Sequence, residues 1–209
     1  MTYKWARDFA LKLINQYSIS GTEIPGSYNN QTDYLLRIPD LVNDAQVYIA
    51  TTTGRITEVT TLADLEHVER GAWTEYTLPE NCWQLSGSGL VLTNSDVFQR
   101  YNRIYTVGKN KLFVPTDVTR DAIVEYYRYP ETLPAKPAND AKLDNSVEAQ
   151  MAVPYYVAAH IVMHDDAFAY QALYNEFEAK LARLSEPVHG ELERVEDVYN
   201  SIEWAGNEP

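Results

Sequence analysis

His160 and His164 stand four residues apart, a spacing that puts both imidazoles on one helical face, with Asp165 and Asp166 directly after them. A zinc-protease helix uses the same spacing. Here the intervening residues are Ile161, Val162 and Met163, so the glutamate that serves as general base in that motif is missing. A third ligand would also have to come from elsewhere in the chain. The pair reads as two helix histidines beside a bend. Cys82, the single cysteine, lies in Pro79-Glu80-Asn81-Cys82-Trp83, a turn entering a strand. It cannot form an internal disulfide or a cysteine-rich zinc site, and it reads as a small buried hydrophobe. Ser86-Gly87-Ser88-Gly89 does not meet the spacing of a nucleophile elbow, and no phosphate-cradling or dinucleotide-binding glycine motif occurs. The neighbouring acids Asp165-Asp166 and Glu196-Asp197 say little about a shared site. No catalytic, cofactor-binding or metal-ligating residue is assigned, and an enzyme is not expected.

A second group mixes arginine with tyrosine: Arg100, Tyr101, Arg103 and Tyr105, then Tyr126, Tyr127, Arg128 and Tyr129. Arginines among stacked aromatics can hold single-stranded nucleic acid. They can equally form a sheet face on which arginine stems cover tyrosine rings. Charge decides between the two. The 209-residue chain has 17 Lys and Arg against 30 Asp and Glu, a net charge of −13. Nucleic-acid binding requires basic residues to neutralise phosphates, so a sheet face or protein contact is expected. With sixteen tyrosines in the chain, Tyr101, Tyr105, Tyr127 and Tyr129 are the contact candidates.

The elements around these residues follow from hydrophobic period. Trp5, Phe9, Leu13 and Tyr17 recur every four residues and predict a first helix, which Gly21, Pro25 and Gly26 interrupt. A second helix is expected from Thr32 or Asp33, through Ile38, Val42, Ala45 and Ile49, to Gly54, with a kink or a restart at Pro39. From Arg55 the pattern changes to strands, around Ile56 to Val59, Tyr76 to Leu78, Leu90 to Leu92, Arg100 to Val107, Lys111 to Val114 and Ala122 to Tyr129. Gly87-Ser88-Gly89 reads as a turn, and Gly108-Lys109-Asn110 as a hairpin loop. After Pro130, Pro134 and Pro137, a helix capped by Asp144 or Asn145 is expected, with a kink at Pro154. A last helix follows through Phe168, Leu173, Phe177, Leu181 and Leu184, divided from it near Asp165-Asp166.

The expected fold class is α+β: an antiparallel bundle of about four helices, an inserted small antiparallel β-sheet or barrel, and an extended C-terminal arm. The expected divisions are residues 1–54 and 131–185 for the two halves of the bundle, 55–130 for the β insertion and 186–209 for the arm. That last stretch holds one base against seven acids, a net −6, with Val195, Val198, Tyr199, Ile202 and Trp204 as sparse apolar residues. It reads either as a segment that orders on binding or as a frayed end. No apolar signal core lies in residues 1–15, and the run from Met151 to Met163 is too short to span a bilayer. A soluble protein made in a cytoplasm, without membrane contact, is expected.

Several stretches resemble the head–tail adaptor (connector) proteins of tailed bacteriophages. They are the opening helix; residues 34–46, Tyr-Leu-Leu-Arg-Ile-Pro-Asp-Leu-Val-Asn-Asp-Ala-Gln; and the β insertion, with its approach to a strand at residues 75–80, Glu-Tyr-Thr-Leu-Pro-Glu, and its exit through 124–130, Val-Glu-Tyr-Tyr-Arg-Tyr-Pro. Residues 153–160, Val-Pro-Tyr-Tyr-Val-Ala-Ala-His, and 174–181, Tyr-Asn-Glu-Phe-Glu-Ala-Lys-Leu, complete the likeness. The resemblance implies a structural virion protein, placed in the neck and assembled in the bacterial host cytoplasm. Its copies would form a ring, typically dodecameric, beneath the portal protein and offer a platform to a downstream neck, stopper or tail protein. DNA would pass through the channel without specific binding, which an acidic lining favours. The tyrosine candidates would then serve subunit contacts, and Tyr199, Ile202 and Trp204 would anchor an arm on the portal. The insertion is large for such a protein, so another neck or tail-completion component remains an alternative. A carbohydrate- or protein-binding module and a histidine-based metalloenzyme are the rival classes.

Overall fold

The computed structural model describes residues 1–15, 28–53, 55–94, 97–118 and 121–185. The first helix, α1 (Tyr3–Leu13), is capped by Thr2, whose hydroxyl accepts from the Trp5 amide at 3.3 Å. Helix α2 (Tyr28–Thr52) starts earlier than its polar residues suggest and carries Pro39 in its interior. Among the described residues eight strands follow: β1 (Ile56–Thr61), β2 (His67–Arg70), β3 (Trp73–Thr77), β4 (Cys82–Asn94), β5 (Val97–Tyr101), β6 (Tyr105–Val107), β7 (Lys111–Pro115) and β8 (Ala122–Arg128). The chain then returns to α3 (Val147–Gln150), α4 (Val153–Val162) and α5 (Ala167–Ser185).

The expected bundle of about four helices with one small inserted sheet does not form. The strands make two four-stranded antiparallel sheets, ordered β1-β8-β4-β5 and β2-β3-β7-β6. The two sheets share a core of their own, built from Tyr76, Leu112 and Val114 on one side and Leu90, Val124 and Tyr126 on the other. The helices do not close an antiparallel bundle. They gather around α4, which packs against α1, α2 and α5, whereas α1 and α2 barely meet. The expected arm, residues 186–209 with Tyr199, Ile202 and Trp204, lies outside the described residues.

The sheet was underestimated for a local reason. Residues 100–107 look like one strand, yet β5 ends at Tyr101 and β6 starts at Tyr105, and the two belong to different sheets. The crossing at Asn102 to Ile104 therefore joins the sheets. Gly87-Ser88-Gly89 is not a turn either. It lies within β4, where the pairing with β8 shifts between Leu85 and Leu90. Gly89 has a positive φ of 58°, and a Cβ placed there would come 3.3 Å from Ile104 Cδ1. We expect Gly89→Ala to cost about 1–2 kcal/mol through the left-handed backbone alone, read as a lower urea midpoint with an unchanged slope. Gly108, with φ of 66°, does turn the β6–β7 hairpin.

The helix boundaries near the prolines have a similar explanation. Ser146, not Asp144 or Asn145, caps α3, its hydroxyl accepting from the Ala149 amide at 3.3 Å. Met151 and Ala152 separate α3 from α4, so Pro154 falls in the first turn of a new helix, where its missing N–H costs nothing. Asp166 caps α5: its Oδ1 accepts from the amides of Phe168 at 3.0 Å and Ala169 at 2.9 Å. No helix among the described residues is long and apolar enough to cross a membrane.

Candidate functional site

The histidine pair is built into helix packing. His160 stacks on Tyr156 with ring centroids 4.0 Å apart, and its Nδ1 lies 2.9 Å from the Tyr156 carbonyl oxygen. Tyr170 and Tyr174 stand edge-on to it, each at 6.0 Å. Such an imidazole is held in place by its aromatic neighbours. His164 lies exposed beyond the end of α4. Among the described residues, no group of three His, Cys, Asp or Glu side chains converges as a metal site would require. Cys82 is buried, and that burial pushes its thiol pKa up, away from the thiolate that a nucleophile needs.

The four tyrosine candidates do not form one patch. Tyr127 lies on the outer face of the first sheet, packed against Trp83 with centroids 6.0 Å apart and under the Arg55 guanidinium at 4.9 Å. Tyr129 follows β8, and its backbone amide donates to the Asn81 carbonyl at 2.8 Å. Tyr101 packs against the β core. Only Tyr105 is a largely open ring, 45% exposed on β6.

Tyr105 belongs to a surface that spacing alone does not reveal. In the second sheet, register pairs Glu75 with Phe113 and Phe113 with Tyr105. The rings of Tyr105 and Phe113 stack at 4.9 Å, and Trp73 meets Tyr105 edge-on at 4.8 Å. Arg70 and Lys111 both bind Glu75 between these rings, Lys111 Nζ at 3.1 Å. Their hydrogen bonds, that of Arg70 first, hold the Glu75 carboxyl below its ordinary range. Val68 on β2 and Val107 on β6 complete the face at its two edges, 55% and 54% exposed. At one end lies a recess of about 370 Å³ lined by Trp73, Arg103, Pro115 and Asp117. The alternation in Lys111-Leu112-Phe113-Val114 was the available signal: if Leu112 and Val114 face the core, Phe113 must face out.

A second junction ties the sheets to the helices. Arg128 at the end of β8 reaches both Asp144 oxygens, at 2.5 and 2.9 Å, and its Nε lies 3.0 Å from Glu58 on β1. Asp144 also accepts from the Glu131 amide at 2.8 Å, while its own amide donates to Gln46 Oε1 on α2 at 2.8 Å. The Arg128 hydrogen bonds are the main cause that lowers the Asp144 carboxyl pKa. Asn43, one helical turn before Gln46 on α2, clamps Leu133 in both directions, at 2.8 and 2.9 Å. Beside the junction, burial with Glu58 next to it pushes the Tyr126 hydroxyl up to about 12. The network positions the sheets on the helical unit.

A scan against protein-family models finds no match to this chain, and a search of the curated proteins finds none either.

Proposed function

We propose that the chain is a structural virion protein, a head–tail adaptor of a tailed phage that forms a ring beneath the portal and carries no catalysis. One observation carries the reading. The stretches 34–46 and 153–160, on which the resemblance rests, fall on α2 and α4, which pack on each other with the two-sheet unit spliced between them. The likeness thus follows a packed unit and not scattered residues. The engaged His160 and buried Cys82 favour a structural role. The net charge of −13 suits a channel through which DNA slides without specific binding. In this reading Tyr199, Ile202 and Trp204 anchor the acidic arm on the portal, and a neck, stopper or tail protein docks on the opposite side.

The test mixes the full chain with the portal protein encoded by the same phage, followed by sedimentation and electron microscopy. Co-sedimentation and a ring seated on the portal are expected. Failure to co-sediment over a range of salt overturns the reading. A chain truncated after Ser185 should lose docking; if it docks normally, the arm is not the anchor.

A further inference from the structure

We propose that β6 of one copy pairs with β2 of the next, so that the second sheet continues from copy to copy around the ring. The pairing deepens the adaptor reading and rests on it for the closure of the ring. Both strands are edges of the same sheet, and every described residue in them is exposed. Edges of that kind are templates for a further strand.

Direction comes first. Strands alternate across β2-β3-β7-β6, so the two edges run in opposite senses. Copies related by rotation about a ring axis then bring β6 against β2 as an antiparallel pair. Register comes next. Val68 and Arg70 lie on the outer face opposite Glu75 and Trp73, and Tyr105 and Val107 lie on the same face opposite Phe113 and Lys111. Placing Val107 opposite Val68 keeps that face continuous; it sets Tyr105 opposite Arg70 and brings Lys109, in the hairpin loop that follows β6, towards Glu66 at the start of β2. A slip of two residues the other way brings Arg103 against Arg70, a like-charge pair.

Charge complementarity selects the neighbour. β6 is flanked by Arg103 and Lys109, and β2 carries Glu69 and is preceded by Glu66, all exposed and none in an ion pair among the described residues. Pairing β6 with β6 would oppose Arg103 and Lys109 of the two copies. Pairing β2 with β2 would leave Tyr105 and Val107 uncovered. The β6–β2 contact covers both edges and brings Lys109 to Glu66, and its occupant is a second copy of this chain.

The experiment uses the full chain carrying Val68→Cys and Val107→Cys together. Directly opposed residues of an antiparallel pair have Cα atoms about 4.5–5.5 Å apart, within disulfide reach. Within one copy the two positions lie three strand spacings apart, about 14 Å, and cannot be bridged. Mild oxidation of portal-bound protein, and separately of concentrated free protein, should give a ladder of linked copies on a non-reducing gel. Either single variant should give none. Lys109→Glu should weaken the ladder, and Lys109→Glu with Glu66→Lys should restore it. Rings on the portal without a ladder overturn the pairing and leave the adaptor reading standing. A ladder from free protein that never docks on the portal supports the pairing and overturns the adaptor reading. Neither ring nor ladder overturns both, and a Val68→Cys dimer without a ladder shows β2–β2 contact instead.

Discussion

Phe177→Ala is expected to remove about 3–5 kcal/mol of stability, the cost of deleting a fully buried ring and leaving a cavity behind. Phe177 is 0% exposed and lies 5.1 Å from Tyr156, with Tyr48 and Tyr174 both at 5.7 Å, measured between ring centroids. It therefore joins α5 to both α2 and α4. The surrounding rings are large and rigid, and several are held from other sides, so collapse into the void is limited. Tyr48 and Tyr156 also touch each other, and His160 rests on Tyr156, so the loss spreads through one cluster. For a chain of this size the cost corresponds to about 6–20 °C in Tm. Circular dichroism at the helical band reads it directly. Phe168→Ala, at an 86% exposed ring on the same helix, should move Tm by little. Equal effects at the two positions would show that the aromatic cluster does not hold the helices together.

The contrast between those two phenylalanines also shows what a sequence can and cannot reveal. Period alone puts Phe177, Leu181 and Leu184 on one face of a helix, because amphipathic helices repeat in steps of three and four. It gives Phe168 the same standing, since nothing local says that the first turn of α5 projects beyond its neighbours. Hairpin chemistry around Gly108 was readable for the same reason: the loop residues carry the conformational demand themselves. Strand β2 was not readable. An edge strand with one apolar residue among His67, Val68, Glu69 and Arg70 has no core face to impose alternation. The glycines in β4 were misleading, because a bulge and a turn ask for the same residue. Of the exposed face, only Tyr105 stood out by type. Trp73 and Phe113 join it through pairing between distant strands, and register of that kind is set by the whole sheet.

Asp144→Asn is expected to loosen the attachment of the sheets to the helices and to abolish one component of acid sensitivity. The carboxylate is the meeting point of Arg128 from β8, the Glu131 amide, and, through its own amide, Gln46 from α2. Arg128 and Asp144 side chains are 17% and 20% exposed, so the pair is neither free in water nor fully dry. Breaking a fully buried pair costs about 3–5 kcal/mol; partial exposure here reduces the expectation to about 2–3 kcal/mol. Glu58 remains on Arg128 at 3.0 Å and limits the loss further. The pH dependence follows from the lowered Asp144 pKa. Its folded form holds the proton less tightly than the unfolded chain, whose carboxyl titrates near about 3.9. The contribution is therefore complete above that value and disappears as pH falls through the folded pKa. Urea midpoints measured from pH 7 down to pH 3 should fall more steeply for the native chain than for Asp144→Asn, so that the gap between the two curves narrows towards the acid end. Parallel curves would show that the Arg128 contact contributes nothing to stability. Asp144→Ala separates charge from shape: if it matches Asp144→Asn at pH 7, the ion pair dominates, and if it is clearly worse, the hydrogen bond from the Glu131 amide carries the difference.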